Sequence, residues 1–368
     1  MGIEVLIVQR FYYNFREGFF EYLSDRRFDF KLINSTSSRG KVKVHDDAIN
    51  IPYIEKIFYF FLGQNYVIFP FLVFNLIRIN PKIIVTEGGQ NSINNFQIFI
   101  YSKIFNRKYI IWDLGKAYAE FNSSLSRSLY MRFYKFLLKQ AYYIYVYNTQ
   151  STTYFKSLGI EQCKLIVLNN TIDTRKIKKI KSTYISHIPP ELLEPSKKGY
   201  TFLIFVGALI KNKNIESLPE LMKKLGDDYF LIIVGDGCQS YKTELLKLFM
   251  GTNHVFVGYK KNEQLATYYN LASFSILPGL GGLSINQSMA FGVPVICKSA
   301  DGAEKDLVIY NETGYIYKDL PDAYNYIVSK TNEDWKAMGQ KAELFLYTNH
   351  SMESMMEKFI FYSKINYK

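Results

Sequence analysis

Short apolar runs of three to six residues, separated by stretches with helical spacing, recur along this chain and limit its fold more than any other feature. The first series covers residues 3–8, 28–33, 83–86, 109–112, 142–147 and 165–168. Helical patterns lie between them at residues 17–23, 94–105 and 126–140. Strands that alternate with helices are predicted to be parallel, because each helix returns the chain so that the next strand runs the same way.

Residues 173–200 break the rhythm. Charge, Pro189-Pro190 and Pro195 mark them as a linker. A second series then occupies residues 202–206, 230–234, 255–257, 274–277 and 294–296. A chain of 368 residues has the length of two domains. The expectation is an α/β chain of two doubly wound sheets, at residues 1–172 and 201–351, with ligands at the carboxyl ends of the strands.

Composition narrows the function classes. With 48% hydrophobic residues and only 10 prolines the chain can bury both cores. Cys163, Cys238 and Cys297 form no CxxC pair and the four histidines are scattered, which argues against disulfides and zinc and for a reducing compartment. The opening MGIEVLIVQ lacks a basic region before its apolar run and reads as a buried first strand.

Residues 57–79 reach the length of a membrane span, but Gln64, Asn65, Pro70, Asn75 and Arg78 interrupt them. They are predicted to form a largely buried helix pair whose exposed part touches lipid. Net charge is +12, most of it in residues 1–140, where bases alternate with aromatics as in Arg10-Phe-Tyr-Tyr-Asn-Phe-Arg16. That pattern suits an anionic membrane surface or single-stranded nucleic acid. No nucleic-acid-binding signature is present, so the membrane surface is the expected partner and no nucleic acid.

The stretch Gly279-Leu-Gly-Gly-Leu-Ser-Ile-Asn-Gln-Ser-Met-Ala-Phe-Gly-Val-Pro-Val-Ile296 contains no charged side chain. Gly279, Gly281 and Gly282 allow the backbone close to a ligand, and Ser284 is expected to cap a helix reaching Phe291. Exposed amides and the positive helix end would hold a phosphate without a basic side chain. A tight strand-to-helix turn that needs glycine only for packing is the alternative.

This stretch follows Phe205-Val-Gly-Ala-Leu-Ile-Lys-Asn-Lys213, Leu231-Ile-Ile-Val-Gly-Asp-Gly237 and Val255-Phe-Val-Gly-Tyr-Lys260, and precedes Gly302-Ala-Glu304 and Glu312-Thr-Gly-Tyr-Ile316. The series resembles the donor-binding domain of the GT-B glycosyltransferases of family 4, the glycosyl transferases group 1, over residues 202–317. Residues 13–23, 84–89 and 110–116 are similar to acceptor-domain segments of O-antigen and capsule enzymes. The resemblance implies a GT-B fold of two Rossmann-like domains facing a central cleft, with the helical pattern at 352–368 packing back on the first. It implies transfer of a sugar from a UDP, GDP or dTDP donor to an undecaprenyl-diphosphate-linked glycan, with retention and without metal or cofactor. The place of work would be the cytoplasmic face of the cell membrane, for a peripheral protein.

Carried onto this sequence, the resemblance puts donor binding at Gly207, Lys213, Gly235, Gly258, Tyr259 and the loop Gly279, Gly281, Gly282, Leu283 and Ser284, with Gln287 and Glu304 beside it. Acceptor binding falls to Arg16, Gly88, Gly89 and Lys116, and Glu87 and Asp113 join Lys213 as catalytic candidates. Family members usually carry one Glu at the loop for the transferred sugar and another, after seven residues, for the ribose. Here Gly279 and Gln287 stand at those positions, and the family's diphosphate-clamping Arg and Lys appear as Ala208 and Lys213. Gln287 can still hydrogen-bond a ribose hydroxyl, about 1 kcal/mol more weakly than a carboxylate. A pseudoenzyme that binds its nucleotide or a protein partner is the rival reading.

Overall fold

The computed structural model describes residues 3–35, 51–62, 66–115, 124–183, 187–300 and 302–364. The chain divides into two compact units, Met1–Asn170 with Met355–Lys368, and Thr171–Ser354.

In the first unit β1 (Val5–Phe11), β2 (Phe30–Ser35), a short hairpin of β3 (Phe60–Leu62) and β4 (Tyr66–Ile68), β5 (Ile83–Glu87), β6 (Lys108–Asp113), β7 (Tyr143–Val146) and β8 (Leu165–Val167) follow one another. Six of these make one sheet in the order β2-β1-β5-β6-β7-β8, and every pairing in it is parallel. Val5 to Val8 are wholly buried, as a central strand covered on both faces requires.

The helix pair expected over residues 57–79 is replaced by the antiparallel hairpin, in which Phe60 faces Ile68, followed by one helix at Leu72–Ile79. Aromatic and β-branched residues favour the extended chain here, and Pro70 marks where it ends. Buried Asn94 secures the corner, accepting from the Phe69 amide at 3.0 Å and donating to the Val67 carbonyl at 2.7 Å. Phe58, Phe60, Leu62, Phe71, Phe74 and Ile77 remain exposed. No helix among the described residues is long and apolar enough to cross a membrane.

The second unit carries β9 (Thr201–Val206), β10 (Tyr229–Val234), β11 (His254–Gly258), β12 (Phe274–Leu277), β13 (Val295–Lys298) and β14 (Gly314–Tyr317). Their order is β11-β10-β9-β12-β13-β14, again all parallel. β14 is missing from the strands read off the sequence, because Gly-Tyr-Ile-Tyr is short and opens on a glycine. Residues 173–200, read as a linker, are folded into this unit. The helix Thr174–Thr183 sends Ile177 into the core, and Leu192 joins it. A lysine-rich helix with isoleucine on one face has the composition of a linker and the packing of an amphipathic element.

The helix Met352–Ser363 enters the first unit from residue 355 onward. Phe359 lies edge-on to Phe19 at 5.1 Å and beside Tyr145 at 5.8 Å, and the Tyr145 hydroxyl is 3.0 Å from that of Ser363.

Candidate functional site

Each sheet has one place where the strand order reverses, and there the loops at the carboxyl edge diverge and leave a crevice. In the first unit the reversal lies between β1 and β5. An ion pair spans it: Arg10 Nη2 meets Glu87 Oε1 at 2.6 Å, the Arg10 amide donates to Glu87 Oε2 at 3.1 Å, and the Tyr13 hydroxyl donates to Oε1 at 3.2 Å. Burial works against ionisation of Glu87, but the charge and hydrogen bonds of Arg10 outweigh it and hold the carboxyl below its ordinary range. Glu87 is therefore a fixed anion whose oxygens are engaged.

Asp113 ends β6 and is buried. It accepts from the Gly115 amide at 2.9 Å and from the Tyr134 hydroxyl. Burial dominates even so, pushing its pKa up to about 6. A Cβ on Gly88 would lie 2.1 Å from Asp113 Oδ2, so only glycine permits the two to be neighbours. Gly89 has a φ of 58°, and its carbonyl, just before the helix Ser92–Ile104, accepts from the Tyr130 hydroxyl at 2.7 Å and from that of Ser92 at 2.5 Å.

Arg16 is buried with its guanidinium 3.8 Å above the Trp112 ring and Nη2 donating to the Tyr147 hydroxyl. These groups surround a cavity of roughly 270 Å³ lined by Gln9, Arg10, Tyr13, Arg16, Glu87, Gly88, Asp113 and Tyr147 among others. The fold thus gathers Arg16, Glu87, Gly88 and Asp113 in one place, while Lys116 lies outside the described residues. Arg10, Tyr134, Tyr147 and Gln9 escaped the sequence reading. The switch-point rule applied to the carboxyl end of the first strand would have found Arg10.

In the second unit the reversal lies between β9 and β12, and backbone builds its walls. Lys213, half-buried on the loop after β9, reaches across to donate to the Leu280 carbonyl and, at 3.5 Å, to that of Gly281. Asn214 adds a bond to the Pro278 carbonyl at 3.3 Å, and the Leu280 amide returns one to Asn212 at 3.1 Å. A Cβ at Gly279 would meet the Asn212 carbonyl oxygen at 2.5 Å. The position where the family places its sugar-contacting Glu is thus closed by the loop that bears Lys213.

The helix begins at Leu283 rather than behind a serine cap. Gly282, with a φ of 56°, is the N-cap and accepts no side-chain bond, and Ser284 sits inside the first turn. The left-handed turn is open to glycine without strain, which removes the need for a capping hydroxyl. In the first turn of the helix Leu283–Ala290 the Ser284 and Ile285 amides donate to the Gly281 and Gly282 carbonyls at 3.3 Å, and Lys213 together with the positive end of the helix concentrates positive potential on one spot. Gln287 is half-buried one turn on.

The remaining glycines fasten neighbouring strand ends. The Gly207 amide donates to Val234 at 3.0 Å and the Gly235 amide to Gly258 at 2.9 Å, and a Cβ on Gly235 would overlap the Gly207 carbonyl. Tyr259 after β11 is exposed. Glu304 is buried and uses both oxygens on the loop before it, accepting from the Ala300 amide at 2.8 Å and the Gly302 amide at 2.9 Å. The carboxylate the sequence assigned to donor binding thus holds the Ala300 and Gly302 amides.

Comparison with known proteins agrees with this architecture. Residues 193–354 match the family of glycosyl transferases group 1. The sulfoquinovosyl transferase SQD2 of Arabidopsis thaliana is 32% identical over 112 residues, which are 30% of this chain and 21% of that protein. The chain thus spans about a fifth of the length of this curated relative. HepE of Anabaena, crystallised with UDP, superposes with a TM-score of 0.74 at 14% identity, over 98% of this chain and 99% of its own. WaaB, a lipopolysaccharide outer core galactosyltransferase, gives a TM-score of 0.65 at 13% identity over 99% of this chain and 100% of its own. At such identities the likeness speaks for the fold. Residues 193–354 thus match the group 1 glycosyltransferases, and the chain as a whole shares the two-domain Rossmann-like GT-B fold of these structural neighbours.

Proposed function

We propose that this protein transfers a sugar from a nucleotide diphosphate donor to a lipid-linked oligosaccharide during bacterial surface polysaccharide synthesis. The observation that carries the reading is the Lys213 ammonium seated on the Leu280 and Gly281 carbonyls at the mouth of a helix N-terminus. A nucleotide diphosphate leaving group gains negative charge as the glycosidic bond breaks. One preorganised cation and aligned amides stabilise that charge more in the transition state than in the ground state. The amides of Gly281, Gly282 and Leu283 supply the dipoles and Lys213 the charge.

Transfer with retention asks little more of the protein, since the departing diphosphate takes the proton of the acceptor hydroxyl. Gln287 hydrogen-bonds the ribose. Asp113, with its pKa near 6, orients the acceptor hydroxyl from the first unit. HepE has been crystallised with UDP-glucose and WaaB acts on lipopolysaccharide outer core, which favours a UDP sugar and an envelope glycan here. The exposed aromatics at Phe58, Phe60, Phe71 and Phe74, on a chain of net charge +12, support a peripheral position on the anionic inner face of the cell membrane.

Loss of the two family carboxylates at Gly279 and Gln287 favours a second reading, a GT-B protein that binds its nucleotide without turnover. A thermal-shift screen against UDP, GDP, dTDP and CMP and their common sugars tests both. Ligand at 100 times Kd raises stability by about 2.7 kcal/mol. A selective shift together with donor consumption supports the transferase; a selective shift with no transfer to any lipid-linked acceptor supports the second reading. Absence of any shift at millimolar ligand overturns the donor site.

A further inference from the structure

The helix Ser92–Ile104 is followed by Asn106, whose left-handed φ of 50° lets the Arg107 amide bond back to the Ser102 carbonyl at 2.9 Å. That turn sets Lys103, Arg107 and Lys108 at the amino edge of the first sheet, where β6 begins, and Lys164, just before β8, joins them. With Ser102 and Cys163 they line a cavity of roughly 470 Å³ that has no acidic residue in its wall. It shares no residue with the cavity at the carboxyl edge.

Cations at this edge have a plainer use, because two helices end here and their last carbonyls attract positive charge. Lys164 does this for the helix ending at Gln140, donating to the Lys139 carbonyl at 2.8 Å and the Ala141 carbonyl at 3.3 Å. Magnitude separates capping from binding. Two helix ends carry roughly −0.5 charge each, so four cations leave an excess of about three positive charges. Neutral groups take up the others: Arg107 Nη2 donates to Asn80 Oδ1 at 2.8 Å, Lys108 lies over the Tyr142 ring at 4.1 Å and Lys103 over that of Phe99 at 5.8 Å. Two buried polar atoms are left over. Ser102 is 5% exposed, and its Oγ has no partner among the described residues; nor has Arg107 Nε. Buried polar atoms in that state call for a ligand or water to satisfy them.

We propose that this cavity binds a soluble small molecule carrying two or more phosphate groups, its oxygens accepting from Ser102 Oγ and Arg107 Nε while the lysines balance its charge. The chemistry follows from what is left over. Guanidinium and ammonium groups only donate, and phosphate oxygens only accept. One phosphate ester carries at most about two negative charges at neutral pH, short of the excess of about three. A volume of roughly 470 Å³ suits a ligand of nucleotide size. The site stands apart from both switch points, so it does not depend on the transferase reading.

Cys163 provides a local readout, since it lines the cavity and is exposed. Cys238, exposed in the second unit, serves as the control, and Cys297 is buried. Iodoacetamide is uncharged and alkylates a thiol with release of iodide, so its rate reports access rather than attraction. Alkylation of each cysteine in the full chain is followed by mass spectrometry. Inorganic tripolyphosphate is expected to slow the reaction at Cys163 saturably, about tenfold, and to leave a larger effect there than sulfate at equal ionic strength. Arg107→Gln and Lys103→Gln are each expected to raise the concentration needed by about tenfold. Lys103 is exposed, so its variant keeps the test open should the Arg107 variant fail to fold.

No protection of Cys163 at millimolar tripolyphosphate overturns the site, and equal protection by sulfate reduces it to general charge screening. Protection of Cys238 alone assigns the anion to the second unit and overturns the proposal as well. Protection by vesicles of anionic phospholipid but not by tripolyphosphate overturns the soluble ligand and makes this edge a membrane contact. Failure of the donor reading appears separately, as the absence of any nucleotide-induced thermal shift in the same protein.

Discussion

The same topological position is furnished in two ways in the two units. Between β1 and β5 side chains form the crevice: Arg10 clamps Glu87, Arg16 lies on Trp112, and Asp113 is buried under Tyr134 and Gly88. Between β9 and β12 backbone forms it, with Gly279 to Gly282, the first turn of a helix and a single ammonium from Lys213. The contrast follows from what each would hold. A diphosphate is satisfied by amides and one cation whatever sugar it bears, whereas an acceptor must be told from other glycans and so needs particular side chains.

Four experiments sharpen or break this contrast. Lys213→Ala is expected to have the largest effect, lowering turnover about 100-fold or more, roughly 3 kcal/mol, as removal of one preorganised donor does elsewhere. The melting temperature should stay close to that of the parent. Near-normal turnover would mean that the backbone alone suffices.

Asp113 comes next. Its native pKa of about 6 lies above its ordinary 3.8, so between those pH values the folded chain holds more of the proton than the unfolded one. Stability from this group is therefore greatest at low pH and is lost as pH rises, by about 3 kcal/mol once above pH 6. Glu87, held low, contributes a slope of opposite sign. Denaturant unfolding of the parent and Asp113→Asn from pH 4 to 7 isolates the difference. Parallel stability curves would show that Asp113 is not destabilised in the fold.

Restoring the family carboxylates is expected to give unequal results. Gly279→Glu places a Cβ 2.5 Å from the Asn212 carbonyl oxygen and 2.6 Å from the Lys213 carbonyl carbon, costing about 2 kcal/mol of stability and displacing Lys213. A variant of unchanged melting temperature and improved turnover would show that the loop yields freely. Gln287→Glu, at a half-buried position, should be tolerated and tighten nucleoside diphosphate binding by about 1 kcal/mol, roughly fivefold, in a calorimetric titration. Unchanged affinity would remove Gln287 from the ribose site.

Much of this was legible from sequence because it depends on local rules. Strand runs and helical spacings gave two parallel sheets, and the order of Gly207, Gly235, Gly258 and Gly279 to Gly282 marked the carboxyl edge of the second. Local reading went wrong where packing outweighed composition. Residues 57–79 became a hairpin and a helix held by Asn94, and the lysine-rich segment after residue 173 folded onto the second core through Ile177 and Leu192.

The sequence by itself determined the fold class, the glycine loop and the single lysine beside it, since periodicity and glycine placement act over a few residues. Only the tertiary structure decided the state of the charged groups. Arg10 and Glu87 lie 77 residues apart, Arg16 and Tyr147 lie 131 apart, and Asp113 reaches Tyr134 over 21. Whether a carboxylate is clamped, a guanidinium left unspent or a pKa raised depends on burial and on partners that only the folded chain brings within hydrogen-bond distance.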